Sequence, residues 1–390
     1  MLTYLSASTI YPVSQAPILN GVLALDEAGY VKGLYTAEQA AAQNLHIDQH
    51  YAGALLPGFI NTHCHLELSH LHGQIPQHTG LFEFVSHVMK NRTEQATEIL
   101  QAMTAADAEM YQNGIVAVGD ISNQAISATV KRESKLYYHT FVEAMGFNPA
   151  QASAIISKAL ETQESFKPLK SSIVPHAPYS VSDPLFAAIA EIANTKENLI
   201  SMHNQETAAE DAFFINKTGD FLELYKRLGV NLDGYPASGK SSLQTTLPKL
   251  PKAQTLLVHN TKTNEADLAF AMEQHANLYW CLCPNANLYI ENTLPDVALL
   301  AKGNRKITLG TDSLASNHQL SILDEMQVLQ KHRNIAFQDL LHWATINGAE
   351  FLGIEDTFGS FDIGKKPGVL LLDGLNNEQL SGESRIKRLF

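Results

Sequence analysis

The sequence predicts an α/β protein: a distorted (β/α)8 (TIM) barrel beside a small β-sandwich assembled from both ends of the chain. Between residues 57 and 357, short β-branched or aromatic runs alternate with longer helical stretches, as βα units around a parallel sheet do. Eight such runs occur, mostly 20 or more residues apart, which suits a barrel of about 250–300 residues. Polar residues with reactive side chains directly follow most of these runs.

The two ends of the chain carry short apolar runs divided by turn residues, which predicts small antiparallel strands. Neither end alone can build a sheet with a core, whereas the two together can. We therefore expect residues 1–56 and 358–390 to form the β-sandwich, with the barrel at 57–357 and the two termini close in space.

The barrel strands are expected in the order in which the apolar runs occur. They are Gly58–Asn61, Ile115–Gly119, Leu136–Val142, Ser172–Val174, Leu199–Met202, Thr255–Val258, Leu278–Cys281 and Lys306–Leu309. An open doubly wound sheet would show the same alternation, so the strand count leaves two architectures open. The residues after the strands favour the barrel, because reactive groups of a barrel lie at the C-terminal ends of its strands.

Charge and cysteine content restrict the functional class. The 390 residues include 27 Lys plus Arg and 40 Asp plus Glu, a net charge of −13, which argues against a nucleic-acid or anionic-membrane partner. Three cysteines indicate a reducing compartment rather than a disulfide framework. There is no signal-peptide pattern and no apolar run of about 18 residues. We expect a cytoplasmic protein acting on a small molecule, with a homodimer left open.

Histidines and carboxylates at strand ends predict a metal site. His63 and His65 follow the first strand two positions apart, so both face the same side. Further groups stand after the fourth, fifth, sixth and eighth strands, in the order His176, His203 (with Glu206 three residues later), His259 and Asp312. Two or three imidazoles and one carboxylate suit Zn²⁺, Fe²⁺ or Mn²⁺ with one position open for water. Such an ion lowers the pKa of its bound water to about 7.

Several motifs resemble the amidohydrolase superfamily. Residues Pro57–His65, PGFINTHCH, resemble its opening motif. Later motifs follow in the expected order, at Pro175–Ser180, His203–Glu206, Val258–Asn260, Cys283–Leu288, Gly310–Ser313, Ala344–Ala349 and Gly359–Pro367. Together they are similar to the branch that contains adenosine-type, guanine, cytosine and S-adenosylhomocysteine deaminases and the triazine chlorohydrolases. The resemblance covers nearly the whole chain.

The resemblance implies a role for each of these residues. One divalent metal, with Zn²⁺ favoured over Fe²⁺ and Mn²⁺, would be bound by His63, His65, His203 and Asp312. Glu206 would carry a proton between the water and a ring nitrogen, and His259 would hydrogen-bond the attacking hydroxide. Asp312 would also accept the proton of the water. These groups provide the nucleophile, base and acid that attack on an aromatic amidine carbon needs.

The fourth strand bears on the number of metal ions. Binuclear members of the superfamily carry a carboxylated lysine at the end of this strand, whereas residues Ser172–His176 include no lysine. We therefore expect one metal ion and expect His176 to contact substrate, as the PHxPY motif of the deaminase branch implies.

Residues after the first strand bear on the substrate. His65–Ser69 and Leu81–Arg92 are similar to the aminofutalosine deaminase subgroup, which serves menaquinone synthesis. Under that resemblance Glu67 and Arg92 are candidates for binding the ribose or carboxylate end of a modified adenosine; otherwise they are a helix-start charge and an exposed helix residue. His318, shortly after Asp312, is a further substrate candidate. The expected reaction is hydrolytic deamination of an aminopurine-type substrate, with a guanine, cytosine or triazine substrate as the alternative.

Gly234–Ser241 matches the phosphate-loop pattern GxxxxGK[ST], which makes a nucleotide triphosphatase the remote alternative. A phosphate loop needs an apolar strand before it and a helix after it. Residues 227–233 are polar and turn-like, and prolines follow at 248 and 251. A glycine-rich connection is therefore the preferred interpretation. An inactive scaffold is disfavoured because every expected ligand and acid–base residue is present.

Overall fold

The computed structural model describes residues 1–91, 96–195, 198–232, 235–303 and 306–390. Strands in these ranges form one seven-stranded sheet and two four-stranded sheets. The strands are β1 (Leu2–Ile10), β2 (Ile18–Leu19), β3 (Val22–Asp26), β4 (Val31–Tyr35), β5 (Gln49–Pro57), β6 (Phe59–Cys64), β7 (Ile115–Ser122), β8 (Tyr137–Ala144), β9 (Lys170–Pro175), β10 (Ile200–Asn204), β11 (Thr255–His259), β12 (Leu278–Leu282), β13 (Lys306–Leu309), β14 (Val369–Asp373) and β15 (Arg385–Arg388).

Helices separate most of the strands that follow β6. Those in the described ranges are α1 (Ala37–Ala42), α2 (Leu81–Asn91), α3 (Ala96–Gln112), α4 (Ala128–Glu133), α5 (Ala152–Glu164), α6 (Asp183–Thr195), α7 (Ala208–Asn216), α8 (Phe221–Arg227), α9 (Ser242–Thr246), α10 (Glu265–Gln274), α11 (Pro284–Glu291), α12 (Val297–Ala301), α13 (Ile322–Arg333), α14 (Phe337–Ala344) and α15 (Ile346–Leu352). The long helices bury one stripe each: α3 buries Met103, Ala106 and Met110, at the spacing of a single helical face. None of the described helices has both the length and the apolar character that a membrane crossing requires.

The seven-stranded sheet joins the two ends of the chain. Its order is β15-β14-β5-β1-β3-β4, with β2 beside β1. β14 pairs antiparallel with β5, where Leu370 lies opposite Leu56. Apolar side chains from both ends, including Leu23, Leu55 and Leu371, pack into one buried cluster. The two ends therefore combine in one β unit, as predicted, while the boundaries at residues 57 and 357 stay predictions.

The eight strands β6 to β13 are parallel to their neighbours within two sheets, β6-β7-β8-β9 and β10-β11-β12-β13. The two sheets meet at both of their edges. At one, the backbone N–H of His203 donates to the carbonyl oxygen of His176 (3.0 Å); at the other, Cys64 bridges to Asp312. The C-terminal ends of the strands are thereby brought around one site.

All eight predicted barrel strands are present, and most run further than the apolar pattern indicates. The third was expected to end at Val142 but continues to Ala144, and the fifth continues through His203 to Asn204. Backbone hydrogen bonding makes a ladder regardless of side-chain polarity, so polar residues can close a strand whose apolar run has ended. This extension places polar side chains within the rigid sheet rather than on loops.

Candidate metal centre and active site

The predicted metal ligands come from both edges where the two sheets meet. His63 is in β6, His65 follows it, His203 is in β10 and Asp312 lies just beyond β13. All four are buried. Gly310 allows the close approach: a β-carbon there would lie 2.8 Å from the β-carbon of His63.

Four ligand atoms converge at this point. His65 Nε2 lies 3.2 Å from His63 Nε2 and 3.3 Å from His203 Nε2. Asp312 Oδ1 lies 3.6 Å from His63 Nε2 and 3.5 Å from His65 Nε2. The ring edges of three imidazoles and one carboxylate oxygen therefore face a common centre.

The protonation of these groups suits a divalent cation. Nδ1 of His203 donates to the carbonyl oxygen of His176 (2.8 Å), so the Nε2 lone pair is directed at the centre. Burial lowers the pKa of His65 and lowers that of His203 to about 4, with neighbouring imidazoles acting in the same direction for His203. Burial opposes protonation of His63, but Asp312 outweighs it and raises the pKa of His63. Burial thus favours the neutral, metal-binding form of His65 and His203, while the Asp312 carboxylate favours positive charge beside His63. Three imidazoles and one carboxylate are a ligand set for zinc.

Glu206 and His259 form a proton-carrying pair beside the ligands. Glu206 Oε1 lies 3.6 Å from His259 Nε2, and both side chains are buried. Burial raises the pKa of Glu206 well above its ordinary value, and the charges of Asp312 and Glu210 raise it further. The Asn287 amide donates to Nδ1 of His259 (3.0 Å), which leaves Nε2 to carry the ring proton. The raised pKa of Glu206 favours its acid form, and burial lowers the pKa of His259, which favours the neutral ring with Nε2–H as a donor.

The backbone at two of these residues is in the left-handed region. φ is 75° at His259 and 57° at Asp312, conformations that cost non-glycine residues about 1–3 kcal/mol. Hydrogen bonds hold both: the N–H of Asp312 donates to the His63 carbonyl (3.1 Å), and the N–H of Asn260 donates to the Asn204 carbonyl (3.0 Å). Both side chains are thereby turned toward the centre.

The predicted substrate residues differ in burial and in the side chains that they contact. The His176 ring is half-buried, 4.9 Å from the His203 ring between centroids. Glu67 is buried in a short 3-10 helix that follows the first barrel strand. His318 is exposed, with its ring centroid 5.7 Å from that of Tyr289. Arg92 lies outside the described residues. The substrate roles of all four stay predictions.

Three residues near the centre were not predicted. Ser316 Oγ donates to Asp312 Oδ2 (2.7 Å), and Asn287 orients His259. The third, Glu143, lies in β8 with Oε1 3.6 Å from Nδ1 of His203. Its position at the end of a barrel strand could have identified Glu143. It was missed because that strand was predicted to end at Val142, one residue earlier.

The phosphate-loop alternative lacks its structural context. In the described residues before this segment, α8 is followed by irregular backbone, and Gly234 itself is outside the described residues. The element after it, α9, has five residues and is capped by Ser241. No apolar strand in the described residues leads into the segment.

Comparison with known proteins identifies the family. The model of the amidohydrolase family matches residues 54–389. The adenosine deaminase of Helicobacter pylori is 26% identical over 310 residues, covering 77% of this chain and 75% of the relative. The aminodeoxyfutalosine deaminase of Nitratiruptor sp. is 27% identical over 343 residues, covering 83% of this chain and 80% of the relative.

Solved structures agree on the fold. The aminofutalosine deaminase of Helicobacter pylori, in complex with methylthio-coformycin, superimposes with a TM-score of 0.81 over the whole of both chains at 21% identity. An adenosine deaminase from Xanthomonas campestris with bound zinc has a TM-score of 0.72 at 21% identity, covering 95% of this chain and 84% of the other. This likeness confirms the predicted (β/α)8 class. With the match over residues 54–389, it follows that the chain belongs to the amidohydrolase family and is a hydrolase acting on carbon–nitrogen bonds.

Proposed function

We propose that this protein is a metal-dependent deaminase that hydrolyses the exocyclic amine of an adenosine derivative and releases ammonia. The observation that carries the proposal is the buried pair of Glu206 and His259 beside the converging imidazoles and Asp312. Relatives 26–28% identical to this chain are named adenosine, 5-methylthioadenosine/S-adenosylhomocysteine and aminodeoxyfutalosine deaminases, which supports the same reaction here.

The ligands of one ion would be His63, His65, His203 and Asp312. A divalent ion held there would supply a water molecule acidic enough to ionise near neutral pH. Burial opposes ionisation of Asp312, but hydrogen bonding with His63 and the neighbouring histidines outweigh it and lower the pKa of Asp312. Asp312 is therefore an ionised carboxylate and would be the group that accepts the proton of the attacking water. The Ser316 hydroxyl holds the other carboxylate oxygen in place.

Glu206 and His259 act on the substrate. Glu206, whose pKa is raised by burial, donates its proton to the ring nitrogen next to the carbon under attack, so that negative charge does not build up on the ring. The Nε2–H of His259 donates to the attacking oxygen and holds it in line. Glu206, once deprotonated, takes up the proton of the attacking hydroxyl as the carbonyl forms. The proton held by Asp312 passes to the leaving amine, which departs as ammonia, so both carboxyl groups return to their starting states.

The names of the similar relatives bear on the substituent of the substrate. Two of them are named 5-methylthioadenosine/S-adenosylhomocysteine deaminase and aminodeoxyfutalosine deaminase. We therefore favour an adenosine with an extended 5′ substituent, of the aminodeoxyfutalosine or methylthioadenosine type, over adenosine itself. The aromatic side chains beside His176, including Tyr179 and Phe221, are buried and form part of the core around the site.

The test is ammonia release by the zinc-loaded protein. Substrates would include aminodeoxyfutalosine, methylthioadenosine, adenosine, guanine, cytosine and a chlorotriazine, with Glu206→Gln as the matched inactive control. We expect kcat/KM to be highest for the substituted adenosines. Turnover of guanine with none of any adenosine derivative would overturn the substrate class and leave deamination standing. Chloride release from the triazine without ammonia release from any amine would overturn deamination.

A further inference from the structure

A chain of polar contacts crosses the mouth of the barrel from one strand end to the next. Glu67 Oε2 accepts the backbone N–H of Asn123 (3.1 Å), and the Asn123 amide donates to Glu143 Oε2 (2.9 Å). Glu143 Oε1 then lies 3.6 Å from Nδ1 of His203. The contacts link the ends of β6, β7, β8 and β10, and they lead from the surroundings of the first two ligands to the third.

Glu143 is the unusual member of this chain. Its side chain is 2% exposed, and among the described residues its Oε1 has no hydrogen-bond partner. A buried carboxylate oxygen without a donor is unfavourable by about 1–3 kcal/mol or more, so natural structures rarely keep one without a function. The groups it faces are imidazoles: ligand atoms of Glu143, His176 and His203 all lie within 4.8 Å of one another.

The position of Glu143 constrains both histidines. Nδ1 of His203 already donates to the His176 carbonyl, and a Glu143 oxygen beside that N–H, which can accept but has no other donor in the described part of the chain, favours keeping the proton on Nδ1. With the proton there, the Nε2 lone pair of His203 stays directed at the ligand centre. Outer carboxylates of this kind orient metal-binding histidines and increase their basicity.

We propose that Glu143 is a positioning residue that holds the metal ligand His203 and the substrate histidine His176 in one arrangement. The inference rests on the proposed function, since it presumes that His203 binds the metal. Asn123 holds Glu143 Oε2 and so leaves Oε1 toward the histidines. The same three residues could instead bind a second ion, but the hydrogen bond from Nδ1 of His203 to the backbone disfavours that.

The variants for the test are Glu143→Ala and Glu143→Gln, with His139→Gln as the matched control. His139 is on the same strand and face four residues earlier, about 13 Å away at the strand rise, and is similarly buried. It lies toward the opposite end of the barrel from the ligands. A general loss of packing in this strand should affect the control as well.

The primary measurement is the zinc dissociation constant of the full-length apoprotein, by competition with a fluorescent chelator. We expect Glu143→Ala to raise it about 10–100-fold, Glu143→Gln to raise it less, and His139→Gln to leave it unchanged. At saturating zinc, Glu143→Ala should retain a raised KM, because His176 is also displaced. Circular dichroism checks folding, and Glu143→Gln carries the test if the alanine variant does not fold.

Three results would overturn the inference. A wild-type zinc affinity in both Glu143 variants would mean that Glu143 does not position His203. An equal loss of zinc affinity in His139→Gln would mean that the effect comes from a general loss of packing in this strand. Loss of a second zinc equivalent, seen by elemental analysis of wild type against variant, would make Glu143 a ligand. If the wild-type chain itself binds no zinc, the proposed metal site fails instead, and the two failures are thus distinct.

Discussion

Replacing Lys131 by methionine should destabilise the barrel strongly. Lys131 Nζ lies 2.6 Å from Asp120 Oδ2, and neither side chain has any exposed surface. Nζ also donates to the hydroxyls of Ser122 and Thr140, each at 3.0 Å. Methionine has nearly the volume of the lysine aliphatic chain, so no large cavity forms. The decrease in the free energy of unfolding therefore measures the cost of leaving the Asp120 carboxylate buried without a partner charge.

The size of the destabilisation depends on the hydrogen bonds that Asp120 retains in the variant. Removing one partner of a buried ion pair costs about 3–5 kcal/mol. Asp120 retains the N–H of Leu66 on Oδ1 (2.8 Å) and the Ser122 hydroxyl on Oδ2 (3.3 Å), which should hold the loss near the lower limit, about 3 kcal/mol. With an m-value of about 3 kcal/mol/M, the urea midpoint should fall by about 1 M.

The assay is urea unfolding of chelator-treated protein, so that metal binding does not contribute to stability. Lys306→Met is the control: Lys306 pairs with Glu350 at 2.9 Å, but the two side chains are 51% and 37% exposed, so the loss should stay below about 1 kcal/mol. Adding Asp120→Asn to Lys131→Met should recover part of the loss, because a neutral amide needs no counter-charge. Equal midpoints for Lys131→Met and Lys306→Met would refute the reasoning.

Three further predictions concern the active site and pH. Glu206→Gln cannot carry a proton, so kcat should fall about 10²–10⁴-fold with zinc content unchanged; loss of zinc would make Glu206 a ligand. Asp312→Ala removes a ligand oxygen and should leave the purified chain without zinc by elemental analysis, whereas two ions per wild-type chain would contradict a single site. Burial and nearby lysines lower the pKa of His139 to about 3, so the unfolded chain binds the extra proton between about pH 6.5 and 3. Stability should therefore decrease as the pH is lowered through that window, by at most about 1.4 kcal/mol per pH unit. An equally steep pH dependence of the urea midpoint in His139→Gln would contradict this.

The barrel and the polar residues at its strand ends could be predicted because parallel strands have a strong local signature. A strand such as β7 is buried on both faces, and its first five residues, Ile115–Gly119, appear as an uninterrupted apolar run. Side chains two positions apart in a strand share a face, and this rule alone puts His63 and His65 on the same side. Residues that are far apart in the sequence can also be predicted to converge, because all strands of a barrel end at the same face.

The ends of the strands were harder to predict than their positions, and for this reason Glu143 was not predicted as a site residue. The apolar run of β8 stops at Val142, yet Glu143 pairs opposite Val174 in the ladder with β9. A backbone ladder continues wherever a neighbouring strand offers partners, and that neighbour is distant in the sequence. Glu143 is therefore part of the rigid barrel wall rather than of a loop.

The amino-acid sequence was sufficient to predict the barrel, the residue types at its strand ends and the family resemblance. The folded arrangement was needed to find which polar groups face one another and in which direction their pKa values are shifted. Residues 63 and 312 approach within 3.6 Å because the two sheets meet there, and burial at that meeting raises the pKa of Glu206 while it lowers that of His65. Burial and long-range proximity depend on the closed arrangement of all eight strands, and no local segment of the chain contains that information.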